Sequence, residues 1–333
     1  MSSPLLNALA LVSSHGSARL VQTAVRRGLF DVLQPDGRAP AEVATALGLN
    51  PGATLLWLRA LAALELVELD ADGVAHNSEL ARDFYTREGA RSVVGMVLFE
   101  HMSWDAWSRL ELALETGATV RPADMYQNDP EETATFIMAM DSLVRARGDA
   151  LELCEHAWVK RARKILDVGG GPGTYVRTFC QRWPHLEAEI FDLPATLEVA
   201  EGVIAGTAEQ GRIRLTPGDY RTDALPRGAD VVFLSNIVHG ENEQSVRTLL
   251  KAVYDALEPG GVIVIKDHIL DACGTKPAVG AVFSMFMLLT TGGRDYTIPE
   301  LTNWLLDVGF EQPEVVELSP ELVSRLAIAR RGA

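Results

Sequence analysis

From Lys164 onward five short apolar runs alternate with helix-patterned stretches, and few folds accept that order. The runs are KILDVG, EAEIFDL, IRLTPGD, DVVFLSNIV and GVIVIKDHIL, separated in part by GTYVRTFCQRW, PATLEVAEGVIAG and SVRTLLKAVYDAL. Nearly continuous apolar runs are strands buried on both faces, and helical crossovers between them make neighbouring strands parallel. The expectation is an α/β fold built on a doubly wound parallel sheet.

Residues 1 to about 150 read differently, as almost entirely helical. SARLVQTAVRRGLFDVLQ keeps Leu20, Ala24, Leu29 and Val32 near helical spacing, with Arg26 and Arg27 on another face. Pro40 and Gly48 bracket a short helix, NPGA starts a second at Asn50, and DADG at 70–73 turns a two-stranded hairpin. Helix, helix and hairpin make a winged-helix pattern. Its second helix, TLLWLRALAAL, carries Arg59 as its one charge and cannot grip a phosphate backbone. The whole chain of 333 residues has a formal charge of −15, which disfavours nucleic acid and anionic membrane alike. Packing against a partner subunit is the expected use of this domain. Cys154, Cys180 and Cys273 are scattered, without a CxxC pair, which suits a reducing cytoplasm rather than a disulfide framework or a zinc site. The N-terminal apolar run has no basic residue ahead of it, so it is expected to be a helix of the mature chain rather than a leader. No apolar stretch approaches the roughly 20 residues that span a bilayer.

The loop after the first strong strand, Asp167-Val-Gly-Gly-Gly-Pro-Gly173, sits where an open α/β sheet binds its ligand. Glycines there let the backbone turn tightly and approach a ligand closely. A phosphate loop would continue Gly-Lys-Ser/Thr; Thr174 and Tyr175 follow instead. Gly169, Gly171 and Gly173 are spaced G-x-G-x-G, unlike the dinucleotide fingerprint. Asp167 would repel a pyrophosphate and attract an amino or sulfonium group. Asp192, at the end of the next strand, can accept hydrogen bonds from ribose hydroxyls, and Asp219 with Tyr220 ends the strand after that, beside an adenine ring. Three successive acidic strand ends favour a nucleoside without phosphate, and S-adenosylmethionine is such a ligand. Taken singly, Asp192 and Asp219 could equally be helix caps.

The motifs LDVGGGPG, FDLP, GDY, ALEPGGVIVIKDHIL and TGGRDYT…LLDVGF occur in order along nearly the whole chain. In these the sequence resembles the S-adenosylmethionine-dependent O-methyltransferases of the plant caffeate and bacterial polyketide type. That resemblance implies a winged-helix dimerisation domain over 1–100, a helical linker over 101–155 that contributes to the acceptor cavity, and a Rossmann-like catalytic domain over 156–333. It implies a cytoplasmic homodimer acting on a small molecule. The general base of the family maps onto His239 in SNIVHGENEQ, and the two carboxylates that orient it map onto Asp267 and Asp295, where plant enzymes usually carry glutamate. Asp167, Gly169, Gly171, Gly173, Asp192, Leu193, Gly218, Asp219, Tyr220 and Ser235 would form the cofactor site. Trp104, Phe136, Met140, Asn236, Phe283 and Met287 would line the acceptor cavity, with Trp107 and Leu288 as further candidates. Ordinary core packing accounts for each of these apolar residues equally well. His239-Gly240-Glu241 replaces the His-Asp-Trp common in the family, and Ser235 stands where plant enzymes have a lysine, so reaction type transfers more readily than acceptor identity.

The chemistry stands beside the resemblance. A phenol with pKa near about 10 is mostly neutral at pH 7, and a histidine near about 6.5 can take its proton as the oxygen attacks. A carboxylate on the other ring nitrogen fixes the tautomer and stabilises the imidazolium. Alternation along the strand sends His268, next to Asp267, to the opposite face, in a structural role. Some relatives methylate carbon of 2-oxo acids with iron; that would call for a histidine within 281–293, which holds none, so no metal is expected. TIPE at 297–300 reads as a helix capping box. The alternatives are methyl transfer to carbon or nitrogen on the same scaffold, and a winged-helix regulator that senses S-adenosylmethionine.

Overall fold

A computed structural model describes residues 3–122, 124 and 126–332. The chain divides into two compact units, Met1–Ser103 and Trp104–Ala333.

The first unit runs α1 (Pro4–Arg26), α2 (Leu29–Val32), α3 (Pro40–Leu47), α4 (Pro51–Ala63), a hairpin of β1 (Val67–Leu69) and β2 (Ala75–Asn77), α5 (Glu79–Phe84) and α6 (Val94–Met102). The periodicity over 17–34 continues through Gly28, but the backbone does not. Gly28 adopts φ 70° and breaks the stretch into α1 and α2. Ala24, Leu29, Phe30, Val43, Leu58 and Leu61 close the core. Asn50 caps α4 by accepting the Ala53 amide, and Asp70 Oδ1 accepts the Asp72 and Val74 amides across the hairpin turn.

The second unit begins with α7 (Trp104–Ser108), α8 (Leu110–Thr116), α9 (Pro130–Arg147), α10 (Asp149–Leu153) and α11 (Ala157–Arg161). The alternating segment follows as β3 (Lys164–Val168), α12 (Thr174–Arg182), β4 (Glu187–Asp192), α13 (Pro194–Ile204), β5 (Ile213–Pro217), β6 (Ala229–Ser235), α14 (Glu243–Ala256) and β7 (Leu257–Asp267). It closes with α15 (Ala278–Thr290), α16 (Ile298–Val308), β8 (Glu314–Glu317) and β9 (Arg325–Arg330). Strand order is β5-β4-β3-β6-β7-β9-β8, with β5 to β7 parallel and β9 antiparallel to both neighbours. The sheet is therefore mostly rather than wholly parallel. β8 and β9 join through a short connection that needs no crossover helix, and their short runs, EVVE and RLAIAR, gave no strand expectation.

Alternation sorts the strand side chains between two layers. Leu166, Val168, Val232, Leu234, Ile263 and Ile265 pack toward α14 and α16, against Leu249, Val253 and Trp304. Ile165, Ile190, Val231, Phe233 and Val264 face the other way, toward Tyr175, Phe179 and Leu197 on α12 and α13. Lys266 shares this second layer and is fully buried; its Nζ lies 2.8 Å from Asp149 Oδ2, which also accepts the Tyr175 hydroxyl at 3.1 Å. That carboxylate ties α10, α12 and β7 together. The capping box at Thr297 is formed as its sequence predicts, with Glu300 accepting the Thr297 amide at 2.9 Å. Among the described residues, no helix is long and apolar enough to cross a membrane.

Candidate active site

The carboxyl ends of β3, β4, β5, β6 and β7 carry the candidate residues. At the end of β3 the chain turns through Gly169, Gly171 and Gly173, all at positive φ. A Cβ at Gly169 would stand 2.2 Å from Ile237 Cδ1, so this loop lies directly against the segment that leads to His239. Asp192, half-buried at the end of β4, accepts the Gly171 amide on Oδ2 (2.8 Å) and the Leu193 amide on Oδ1 (2.7 Å). It thus holds the glycine loop to β4. Burial nonetheless raises its pKa to about 6 against those two hydrogen bonds. Asp167 is 1% exposed, and its Oδ2 has no hydrogen-bond partner among the described residues. Burial, then the charge of Asp192, pushes its pKa up to about 8.

Gly218 follows β5, its amide donating to the Asp192 carbonyl at 3.0 Å. A side chain there would collide with the Phe191 ring, 2.3 Å from the Cβ position. Asp219 Oδ1 accepts the Arg221 amide within its own turn, and the Tyr220 hydroxyl donates to Glu241 Oε1 at 2.8 Å. Ser235 ends β6 half-buried; Asn236 follows at φ 56°, its amide donating to the Lys266 carbonyl.

His239 sits in a short 3₁₀ turn, Val238–Gly240. Its Nδ1 lies 2.6 Å from Asp267 Oδ1, and its own amide donates to Asp267 Oδ2 at 3.3 Å. Asp295 Oδ1 is 3.8 Å from the same Nδ1, outside hydrogen-bond length but near enough to bear on its charge. Burial disfavours the imidazolium, yet the two carboxylates, Asp267 foremost, outweigh it and hold the His239 pKa above its ordinary value. Burial likewise opposes ionisation of Asp267, and His239 overcomes it, so that carboxyl titrates below the usual range. Burial and the neighbouring Asp267 raise Asp295. The direct His239–Asp267 contact shows that an aspartate in place of glutamate reaches the ring without a bridging water.

A family model described as an O-methyltransferase domain matches residues 115–311, more than half of the chain. The chain belongs to this O-methyltransferase family. It is 31% identical over 305 residues to 3-hydroxy-5-methyl-1-naphthoate 3-O-methyltransferase of Streptomyces sahachiroi, covering 89% of this chain and 86% of that one. It is 30% identical over 329 residues to the tetracenomycin polyketide synthesis 8-O-methyl transferase TcmO of Streptomyces glaucescens, covering 97% and 96%. Among solved structures, human N-acetylserotonin methyltransferase in complex with S-adenosylmethionine superimposes with a TM-score of 0.90 over 100% of this chain and 99% of that one, at 22% identity, a likeness of fold.

In this O-methyltransferase the acceptor candidates divide. Phe283 on α15 meets the His239 ring in a T-shaped contact, with centroids 5.0 Å apart. Met287, one turn on, is buried, while Leu288 joins Trp107 of α7, Leu110 of α8 and Val120 in a small apolar cluster. Phe136 on α9 stacks on Tyr126 at 4.7 Å, Met140 is half-buried on the same helix, and Trp104 on α7 is 37% exposed.

One expectation is overturned. His268 joins the cluster of His239, Asp267 and Asp295 instead of leaving it, its Nδ1 3.6 Å from Asp295 Oδ1. Alternation holds only within a strand, and β7 ends at Asp267. There the His268 amide folds back onto Asp267 Oδ1 at 2.9 Å, which redirects the side chain. Two further residues escaped sequence reasoning. Glu241 is 5% exposed and accepts from both Tyr220 and Arg221, while its carbonyl accepts the Tyr296 hydroxyl at 2.6 Å. Its departure from the His-Asp-Trp pattern was the available signal. Ser284 on α15 accepts the Asp295 amide at 3.1 Å and fixes that turn; nothing in its sequence marks it.

Proposed function

We propose that the protein transfers a methyl group from S-adenosylmethionine to a hydroxyl oxygen of a small phenolic or polyketide-like acceptor, with His239 as general base. The buried 2.6 Å contact between His239 Nδ1 and Asp267 Oδ1 carries this reading. A base whose Nδ1 is committed to a carboxylate presents Nε2 to a proton donor, in the one tautomer that can accept. The names of the two Streptomyces relatives, a naphthoate hydroxyl methylase and a polyketide one, support an aromatic acceptor.

The residues at the strand ends fit the cofactor. Asp192 spends one acceptor direction of Oδ2 on the Gly171 amide and one of Oδ1 on the Leu193 amide, and others remain for two ribose hydroxyls. Asp167 keeps a buried carboxylate oxygen with no hydrogen-bond partner among the described residues beside the glycine loop, which suits a cationic group and penalises a phosphate. Gly169, Gly171 and Gly173 shape the loop, Leu193 and Gly218 would flank the nucleoside, and Asp219, Tyr220 and Ser235 would stand toward its base. When bound, S-adenosylmethionine supplies an electrophilic methyl on sulfur. His239 takes the acceptor's hydroxyl proton, Asp267 and Asp295 stabilise the resulting imidazolium, and Phe283, Asn236 and Met287 help to orient the ring. Trp104, Phe136 and Met140 complete the cavity from α7 and α9.

His239→Ala should lower kcat by roughly 10²–10⁴-fold, the span of a positioned base, while cofactor affinity stays within about twofold. Labelled-methyl transfer and calorimetry read the two separately, and unchanged turnover removes His239 from its role.

The first unit supports a homodimer. Leu5, Leu6, Leu9, Leu11 and Val12 on α1 are each at least 55% exposed, and Gly16, Arg19, Leu20, Thr23 and Trp57 line an open apolar groove beside them. A second copy would cover this surface, which is costly to leave in water. Sedimentation equilibrium should give twice the chain mass, and a monomer at micromolar concentration would refute the dimer.

A further inference from the structure

We propose that Asp141 is a positioning residue for methyl transfer. It fastens α9, the helix that carries the acceptor candidates Phe136 and Met140, to the glycine loop, so that donor and acceptor each bind more tightly in the presence of the other. The proposal rests on the methyl-transfer reading above and adds a coupling between its two subsites.

Asp141 follows Met140 on α9 and is 4% exposed. A buried carboxylate is costly unless it is paired and hydrogen-bonded, and here both oxygens are engaged. Oδ1 accepts the Thr174 hydroxyl at 2.7 Å, and Oδ2 accepts Arg145 Nε at 2.8 Å. The Arg145 side chain is 58% exposed and belongs to the rim, whereas the Thr174 contact is buried. Thr174 opens α12 directly after Gly173. That helix is not capped by its own N-cap residue: Gly173 stands at φ 76°, and a Cβ there would lie 2.7 Å from Ile190 Cδ1. Its first amides therefore have no side chain at the N-cap to accept them. Asp141 brings a carboxylate to this end of α12 from a different helix, where the helix dipole favours negative charge. The anion that such a helix start attracts is thus part of the protein, supplied by the acceptor helix.

A second tie runs beside the first. Gln127, just ahead of α9, donates from Nε2 to Thr196 Oγ1 at 3.2 Å, in the first turn of α13. That helix begins after Asp192, whose Oδ2 holds the Gly171 amide. α9 packs along both α12 and α13, and so rests on the two helices whose starts frame the cofactor residues. Asp149 also reaches α12, through the Tyr175 hydroxyl, but it is bonded to Lys266 in the sheet core and lies beyond Gly148, where φ 74° ends α9. The Asp141 tie runs instead from the end of the glycine loop to the residue beside Met140. A cofactor that orders the loop therefore also orders α9, and by linkage an acceptor held on α9 tightens the cofactor by the same factor.

Hydrogen–deuterium exchange tests the coupling, with S-adenosylhomocysteine as the probe and no acceptor present. In the parent protein the saturating ligand should slow exchange in the glycine loop. It should also slow α9, Pro130–Arg147, by about tenfold, the scale of one charge-assisted hydrogen bond. In Asp141→Ala the protection should stay at the loop and vanish from α9. In Asp141→Asn, whose amide oxygen can still accept the Thr174 hydroxyl, it should persist. Should the alanine variant fail to bind S-adenosylhomocysteine, Thr174→Val removes the donor, keeps the shape and should show the same loss. Labelled-methyl transfer to 2-naphthol adds a split that a merely structural residue would not give. KM for the acceptor should be about tenfold higher in Asp141→Ala with kcat within about twofold, and Asp141→Asn should restore it. An α9 left unprotected in the parent protein overturns the proposal, and so do protection that survives both Asp141→Ala and Thr174→Val and a loss confined to kcat. If the parent protein does not methylate 2-naphthol, the acceptor reading fails by itself, and the exchange pattern still decides the coupling.

Discussion

Asp167 and Asp267 lie at the carboxyl ends of two strands of one sheet, β3 and β7, and are almost equally buried, at 1% and 4% exposure. Their acidities nevertheless move in opposite directions. Among the described residues no cation bears on Asp167; burial, then the charge of Asp192, raises its pKa to about 8. Asp267 has the His239 ring at 2.6 Å and titrates below the ordinary carboxylate range. Burial pushes both carboxyls up; the cationic partner beside Asp267 is what separates them. At the base the protein supplies that partner itself, and the pair stands ready before any ligand arrives. At the glycine loop no cation among the described residues faces Asp167, and a cationic ligand would favour its ionised form.

Removing the built-in pair should have the larger effect. In Asp267→Asn the amide cannot hold the His239 tautomer or stabilise an imidazolium, and kcat should fall by roughly 10²–10⁴-fold. The pH profile separates this from simple damage. His239 must be neutral to accept a proton, and its pKa is held above the ordinary value, so activity in the parent protein should rise with pH through a limb above about 6.5. Without the Asp267 charge that limb should move to lower pH even as the plateau drops. A limb that stays in place would mean that Asp267 does not govern the titration.

The same contrast explains what the sequence made legible. Glycines, strand ends and the acids that follow them are local, so Asp167, Asp192 and Asp219 could be placed by counting along the chain. The order of β3 to β7 was equally readable, because alternating strands and crossovers leave few topologies. β8 and β9 were not, since a short antiparallel edge pair carries little periodic signal. His268 was misread because the period-two rule was carried one residue past the end of its strand. Lys266, fully buried on the layer opposite Asp267, was invisible for another reason: its partner Asp149 comes from a helix before the sheet begins, and no spacing connects the two.

The smaller effect belongs to Asp167, and it tests the other half of the comparison. A carboxyl whose pKa rises on folding stabilises the fold fully below its unfolded value, about 4, and loses that contribution as pH rises through about 8. The melting temperature of the ligand-free protein should therefore decline across that window, and Asp167→Asn, which carries no ionisable group there, should flatten the decline. The ligand should reverse the cost. A cation beside Asp167 favours its ionised form, so binding S-adenosylmethionine near neutral pH should release a proton, measurable as a dependence of the calorimetric enthalpy on buffer ionisation. Asp167→Asn should abolish that release and weaken S-adenosylmethionine by about tenfold, the scale of one charge-assisted hydrogen bond. S-adenosylhomocysteine, which has lost the sulfonium but kept the amino group, then tells which cation Asp167 meets. An equal loss for both ligands assigns it the amino group, and a loss confined to S-adenosylmethionine assigns it the sulfonium. Proton release that persists in the variant would show that another group titrates, and that Asp167 is not the carboxylate the cofactor's cation meets.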